Sequence, residues 1–233
     1  MSNAVQTILI TGAAGHLGRA VAANFRQRGS RLVLMDRQAE ALQSAFGGWS
    51  DALPLAVDLL RPEEVTAGVA QALERFGRVD ALCHIAGGFR MGEAVHETSG
   101  ATWDFLMDLN ARSLVNVARS LVPHLIDRGG GRIVTVGAAA ATKGAAQMGA
   151  YCASKSALIR LTEAMSAELK ERNVNVNCVL PSIIDTPDNR AAMPDADPSR
   201  WVSPQALAEV IAFLTTDAAC PIHGAAIPVT GLM

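Results

Sequence analysis

The sequence predicts an α/β fold: a parallel sheet covered by helices on both faces. Three observations point to it. Short β-branched apolar runs alternate with amphipathic stretches from end to end, and parallel strands need helical crossovers of this kind. The first run breaks into a glycine-rich turn that opens an amphipathic segment, which reads as strand, turn and helix. Half of the 233 residues are hydrophobic, enough to bury one substantial core, so one domain over 1–233 is expected.

Taken in order, Val5 to Thr11 is the first strand and Leu17 to about Arg28 the first helix. Arg31 to Met35, ending at Asp36, and Ala52 to Val57, ending at Asp58, are the next strands. Helical patterns follow them at Gln38 to Phe46 and Pro62 to Phe76, the latter with Pro62 suited to a first turn and Gly77 to a stop. Val79 to Ala86 is a fourth strand, finishing in Gly87 and Gly88. One long helix is expected over Thr102 to Asp127, closed by Gly129, Gly130 and Gly131, with strand Arg132 to Val136 after it. A helix from Gly149 to about Glu171 leads to strand Val174 to Leu180, and the chain closes with helix Pro204 to Thr215 and strand Ala225 to Val229. That makes seven strands. The Pro- and Asp-rich stretch 182–201 is too long for an ordinary connection, so it is expected to be disordered or a lid over a site.

The balance of charge narrows the partners. With a net charge of −2 and no dense run of Lys and Arg, nothing recruits nucleic acid or an anionic membrane, and a small-molecule ligand fits better. Cys83, Cys152, Cys178 and Cys220 are far apart with no C-x-x-C pair. They read as reduced thiols of a cytoplasmic protein, neither a disulfide framework nor a metal site. A strand-like run within the first few residues and the lack of a long apolar stretch give no expectation of a signal peptide or a membrane span.

Chemistry concentrates in a few places. In the turn T-G-A-A-G-H-L-G, Gly12, Gly15 and Gly18 allow backbone to approach a pyrophosphate at a helix N-terminus, whose free N–H groups and dipole attract its charge. Asp36 at the end of the second strand suits two ribose hydroxyls and repels a 2′-phosphate, which favours NAD(H). Arg37 beside it can accept that phosphate, so NADP(H) is not excluded. The plain alternative for Asp36, and for Asp58 where an adenine edge can lie, is a helix N-cap. Ala86, Gly87 and Gly88 leave room for a flat ligand against backbone, or for a sharp turn. His84 reads as a satisfied core histidine. Asn110 either holds a water or a backbone carbonyl beside Lys155, or sits at the surface. Tyr151 and Lys155 lie four apart and share one face of a helix, where an ammonium lowers the pKa of a phenol and makes it a proton-transfer group.

Together these residues resemble the short-chain dehydrogenases and reductases. The resemblance covers essentially the whole chain: the glycine turn, Asp36, Asp58, Ala86-Gly87, Asn110, the Y-x-x-x-K of Tyr151 and Lys155, and Asn177 to Pro181 followed by Thr186. It implies a single doubly wound Rossmann-like domain and an NAD(P)-dependent oxidoreductase acting on a small carbonyl or alcohol. It implies Tyr151 as acid or base, Lys155 on the nicotinamide ribose, Asn110 in a water relay and Thr186 near the carboxamide. Cofactor contacts are also implied for Thr11, His16, Leu17, Leu59, Pro181 and Ile184, and a homodimer or homotetramer through the long helices.

Three departures stand out. His16 takes the place of the family's middle glycine, Ile85 that of an asparagine, and Ala138 that of the serine thirteen residues before the tyrosine. That serine normally donates to the reacting oxygen, a donor of the kind whose loss costs about 100- to 1000-fold in rate. Thr142 is a possible substitute. The dihydropteridine reductases are similar in the glycine turn, in Cys83 to Phe89, in the alanine at 138 and in Asp185 to Trp201. This resemblance implies a flat pterin-like substrate covered by Phe89 and Trp201, the alternative for both aromatics being ordinary packing. A non-catalytic dinucleotide sensor is the alternative from another class.

Overall fold

Apolar runs of five or six residues that are buried along nearly their whole length leave their backbone only one means of satisfaction, hydrogen bonding to like neighbours. In the computed structural model, which describes residues 5–233, seven strands form one sheet: β1 (Thr7–Thr11), β2 (Arg31–Asp36), β3 (Ala52–Ala56), β4 (Ala81–His84), β5 (Gly131–Val136), β6 (Val174–Pro181) and β7 (Ala226–Val229). Their spatial order is β3-β2-β1-β4-β5-β6-β7, and every pairing is parallel. The order reverses between β1 and β4. At such a switch point the connections leave toward opposite faces and open a crevice at the carboxyl ends of the strands.

Alternation of side chains along each strand feeds two cores. Ile8, Ile10, Leu32 and Leu34 enter one, where α1 (His16–Gln27) packs on α8 (Pro204–Leu214). Leu9, Val33, Met35 and Leu82 enter the other, beneath α3 (Pro62–Phe76) and α5 (Ser113–Asp127), which pack together. Full burial of one such side chain contributes about 2 kcal/mol. α2 (Ala39–Phe46) packs on β2 and β3, and α6 (Gly149–Leu169) on β6.

One expectation is corrected, and of the two alternatives for the stretch 182–201 disorder is excluded. The single long helix is three pieces: α4 (Gly100–Met107), a π-helical turn (Asp108–Arg112) and α5. It also starts earlier than Thr102, because the Ser99 hydroxyl caps α4 by accepting from Thr102 N at 3.1 Å, while Glu93 accepts from Ser99 N at 3.0 Å. The stretch 182–201 is ordered. It contains α7 (Pro187–Ala192), a short 3-10 turn (Pro198–Arg200) and a bridge from Ile184 to Val202. Asp185 N donates to Val202 O and Val202 N to Ile183 O, so the backbone of a long connection is satisfied locally, as burial of its flanks requires.

Candidate active site

The predicted residues gather along the carboxyl ends of the strands: Thr11 on β1, Asp36 on β2, Asp58 and Leu59 just past β3, Ala86 and Gly87 past β4, Ala138 past β5 and Pro181 on β6. The glycine turn is close-packed against the end of β4. Gly12 has φ +65°, and a Cβ there would lie 2.8 Å from Ala86 Cα and N. A Cβ on Gly18 would fall 2.1 Å from Gly12 O, so α1 can sit this near the turn only with glycine at both positions. Gly15 is the N-cap of α1 and offers no side-chain cap. The first N–H groups of α1 are therefore free to meet an anion. His16 is half-exposed at the start of α1 and stands 3.8 Å from Asp188 of α7, which brings the ordered 182–201 segment up to the glycine turn; Leu17 behind it is buried.

Asp36 is not a helix cap, since α2 begins after Gln38. Its carboxylate accepts from Ala14 N at 3.1 Å and from Gln38 N at 3.2 Å, bracing the glycine turn while staying partly exposed. Arg37 is exposed and makes no ion pair among the described residues. Asp58 likewise caps no helix: α3 begins after Arg61, and Asp58 accepts from Leu60 N at 2.9 Å. These features fit a dinucleotide. The turn is a cradle that side chains would fill, one helix terminus is uncapped, and an acid stands at the end of β2.

The Tyr151 and Lys155 segment is positioned by α6 docking on the end of β5 and the turn after it. Lys155 Nζ donates to Val136 O at 2.8 Å, and Ser156 Oγ donates to Ala141 O at 2.7 Å. A Cβ on Gly87 would sit 2.8 Å from Lys155 Nζ and 3.0 Å from Asn110 Oδ1. Any side chain at 87 would therefore press on both Lys155 and Asn110. Asn110 is fully buried, which excludes the surface reading: its Oδ1 accepts from Gly88 N at 2.8 Å, and its Nδ2 donates to Gly88 O at 3.0 Å and to Ser154 Oγ at 2.9 Å. These bonds draw Asn110 inward, and the wide π-helical turn absorbs the extra residue, as such bulges do near functional sites. Sequence reading marked Gly88 only for its small bulk and did not single out Ser154, because neither residue type announces a partner across the fold.

Burial pushes the Tyr151 phenol up to about 12, with a smaller contribution from Cys152. This is opposite in direction to the effect expected from the Tyr–Lys spacing. Burial also brings Lys155 down to about 8. The side that loses most solvation governs each group: a neutral phenol is favoured, and the ammonium loses part of its preference for charge. Phe89, 55% exposed, stands edge-on to Tyr151 with ring centroids 4.8 Å apart.

Other candidates fall out differently. Trp201 is only 6% exposed, so it packs within the protein and is not free to cover a ring. Thr142 is exposed, and its hydroxyl donates to Ala139 O at 2.8 Å, so its proton is already committed. Ala138 is buried in the cluster against which Tyr151 packs and brings no hydroxyl to it. Thr186 caps α7, its hydroxyl accepting from Asn189 N at 3.2 Å, and Ile184 is held in the bridge to Val202. Among the described residues no group of His, Cys, Asp or Glu is placed to hold a metal ion, and no helix is long and apolar enough to cross a membrane.

Comparison with known proteins gives the same answer as this geometry. The family model described as short chain dehydrogenase matches residues 6–197. D-threitol dehydrogenase of Mycolicibacterium smegmatis is 31% identical over 96% of this chain and 90% of its own length. NAD-dependent glycerol dehydrogenase of Listeria innocua is 30% identical over 93% of this chain and 89% of its own. The structure of 3-ketoacyl-(acyl-carrier-protein) reductase from Brucella melitensis complexed with NADH superimposes with a TM-score of 0.89 at 28% identity, covering 97% of each chain. On the family match, the sheet order and the nucleotide-fitting turn, the chain belongs to the short-chain dehydrogenase family and is an NAD(P)-dependent dehydrogenase or reductase.

Proposed function

We propose that this enzyme interconverts a small alcohol and its carbonyl compound, with Tyr151 carrying the proton. The observation that carries this reading is the construction around Gly87, where Lys155 and Asn110 close on the end of β4 beside a turn fitted to a dinucleotide, with Tyr151 one helical turn before Lys155 on α6. A bound nicotinamide supplies or accepts the hydride, and the protein orients the reactants and moves the proton. Tyr151 keeps its proton at neutral pH and donates it to the developing alkoxide when a carbonyl is reduced. Lys155 and Asn110 fix the electrostatics behind it, and the ordered 182–201 segment serves as the lid. The D-threitol and glycerol dehydrogenase relatives support small polyols as the first substrates to try. Mixing the protein with NADH or NAD and a panel of ketones, aldehydes and polyols tests the reading. No turnover with any of them, despite measurable cofactor binding, would favour the sensor.

The cofactor we propose is NAD(H). Asp36 is partly exposed at the end of β2 with its carboxylate already ordered by Ala14 and Gln38, so it presents a fixed negative charge where a 2′-phosphate would lie. Asp36→Ala is expected to weaken NADH about 10- to 100-fold, the worth of a hydrogen bond to a charged group, and to bring Arg37 into play for NADPH. Titration of both cofactors reads this, and an unchanged preference would remove Asp36 from the site.

A second reading, a reductase of flat pterin-like substrates, is favoured by one observation. Ala138 is buried in the cluster on which Tyr151 packs and has no hydroxyl to offer, and exposed Phe89 stands edge-on to the tyrosine. A quinonoid ring needs protonation but no donor to an oxyanion. Ala138→Ser separates the readings: a gain toward the 100-fold range on simple ketones, with no gain on quinonoid dihydropterin, shows that the native substrate dispenses with the donor. Exposed Trp103 on α4 and Val115 on α5 support a homodimer or homotetramer through these helices, and a monomeric mass by light scattering at micromolar concentration would overturn it.

A further inference from the structure

His84 is fully buried at the end of β4, where its side chain spans two elements. Nδ1 lies 3.0 Å from Thr11 Oγ1 of β1, and Nε2 lies 3.2 Å from Ser113 Oγ at the start of α5. The directions of these bonds follow from proton counting. Ser113 Oγ donates its single proton to Leu109 O at 2.6 Å, so toward the imidazole it can only accept, and Nε2 must carry a hydrogen. Burial, with Lys155's charge behind it, pushes His84 down to about 3, so the ring is neutral and Nδ1 is an acceptor. Thr11 Oγ1 therefore donates to Nδ1 while accepting from Ala86 N at 3.3 Å. Every atom in the chain Ala86 N–H, Thr11, His84, Ser113, Leu109 O is satisfied, and its polarity admits no reversal.

The two ends of this chain are informative. Ala86 is the residue on which Gly12 of the nucleotide-fitting turn rests. Leu109 lies in the π-helical turn and precedes Asn110, which grips Gly88 and Ser154. We propose that His84, as the Nε2–H tautomer, is a positioning residue that ties the glycine turn to the π-helical turn and so sets Asn110 against Lys155. A leucine of similar bulk would fill the space and leave Thr11, Ser113 and the two turns unlinked.

The inference rests on the reading of Tyr151, Lys155 and Asn110 as the active site, but its first test needs no substrate. Long-range ¹H–¹⁵N spectra of the histidine rings should show His84 neutral and protonated on Nε2, without titration from about pH 5 to 8. An Nδ1–H ring, or one that titrates in this range, overturns the proposal whatever the substrate proves to be. Ser113→Ala keeps every strand pairing and removes only the far tether, while His84→Asn retains a group that reaches Thr11 and is too short for Ser113. Both should shift or broaden the Asn110 side-chain amide signals, leave the NADH Kd within about twofold and lower kcat about tenfold, the cost of one lost hydrogen bond. The double variant should be no worse than His84→Asn alone, because both changes cut one link. Losses that multiply, or Asn110 signals unchanged in Ser113→Ala, would show that His84 merely fills the core. If the spectroscopic results hold and no substrate turns over, the tether stands and the proposed reaction fails.

Discussion

Tyr151→Phe is expected to lower kcat by about 10²- to 10⁴-fold, the range that a positioned proton donor contributes, while the NADH Kd changes little. The reasoning is local. The phenol stays protonated far above neutral pH because burial raises it to about 12, so in the reductive direction it is a loaded acid throughout the working range. Phenylalanine preserves the ring that packs on the apolar cluster behind it and stands edge-on to Phe89, so the fold and the cofactor site should survive. Fluorescence titration of NADH together with initial rates separates the two effects. A variant with wild-type turnover would remove Tyr151 from the chemistry and shift attention to water as the proton source.

Lys155→Met should separate stability from function. A lysine held at about 8 instead of 10.5 costs the folded protein about 3 kcal/mol at pH 7. The sign follows from proton binding: between pH 8 and 10.5 the unfolded chain holds the proton and the folded one has released it, so wild-type stability rises with pH across that window. Below it the cost is fully present. Methionine fills similar volume without charge but abandons the bond to Val136 O, which offsets about 1 kcal/mol. The variant is thus expected to be more stable than wild type at pH 7 by about 2 kcal/mol, to lose that advantage as pH rises from about 8 to 10.5, and to have almost no activity. Denaturant unfolding at pH 7 and 10 measures it. Equal stability at both would mean that the ammonium is better solvated than its burial implies. In the wild type, the part of the rate that depends on the ammonium should fall as pH rises through about 8.

The local signals in the sequence were sufficient for the scaffold. Alternating strand and helix periods, with glycine and proline as punctuation, located all seven strands to within about two residues at nearly every end, because strands buried on both faces need near-continuous apolar runs. Gly77 is an example at one residue: it closes α3 in the left-handed region with φ 74°, as its position predicted. The same signals picked out Gly12, Gly18, Asp36, Tyr151 and Lys155, whose residue types and spacing carry their chemistry locally.

What the sequence by itself determined, then, is the order of elements, the nucleotide-fitting turn and the Tyr–Lys pair. Tertiary structure alone decided the rest, because each remaining feature depends on distance between segments far apart in the chain. Desolvation reversed the expected direction for Tyr151, since the loss of water around a phenol depends on what packs over it. Helix periodicity ran unbroken from α4 to α5, whereas in the fold a π-helical turn separates them and holds Asn110 where Gly88 and Ser154 bond it. Trp201 and Phe89 are alike as aromatic residues in polar stretches, yet one is buried and the other stands edge-on to the tyrosine. His84 shows the limit most plainly: an apolar strand marks it as a core residue, and only the fold places Thr11 and Ser113 at its two nitrogens.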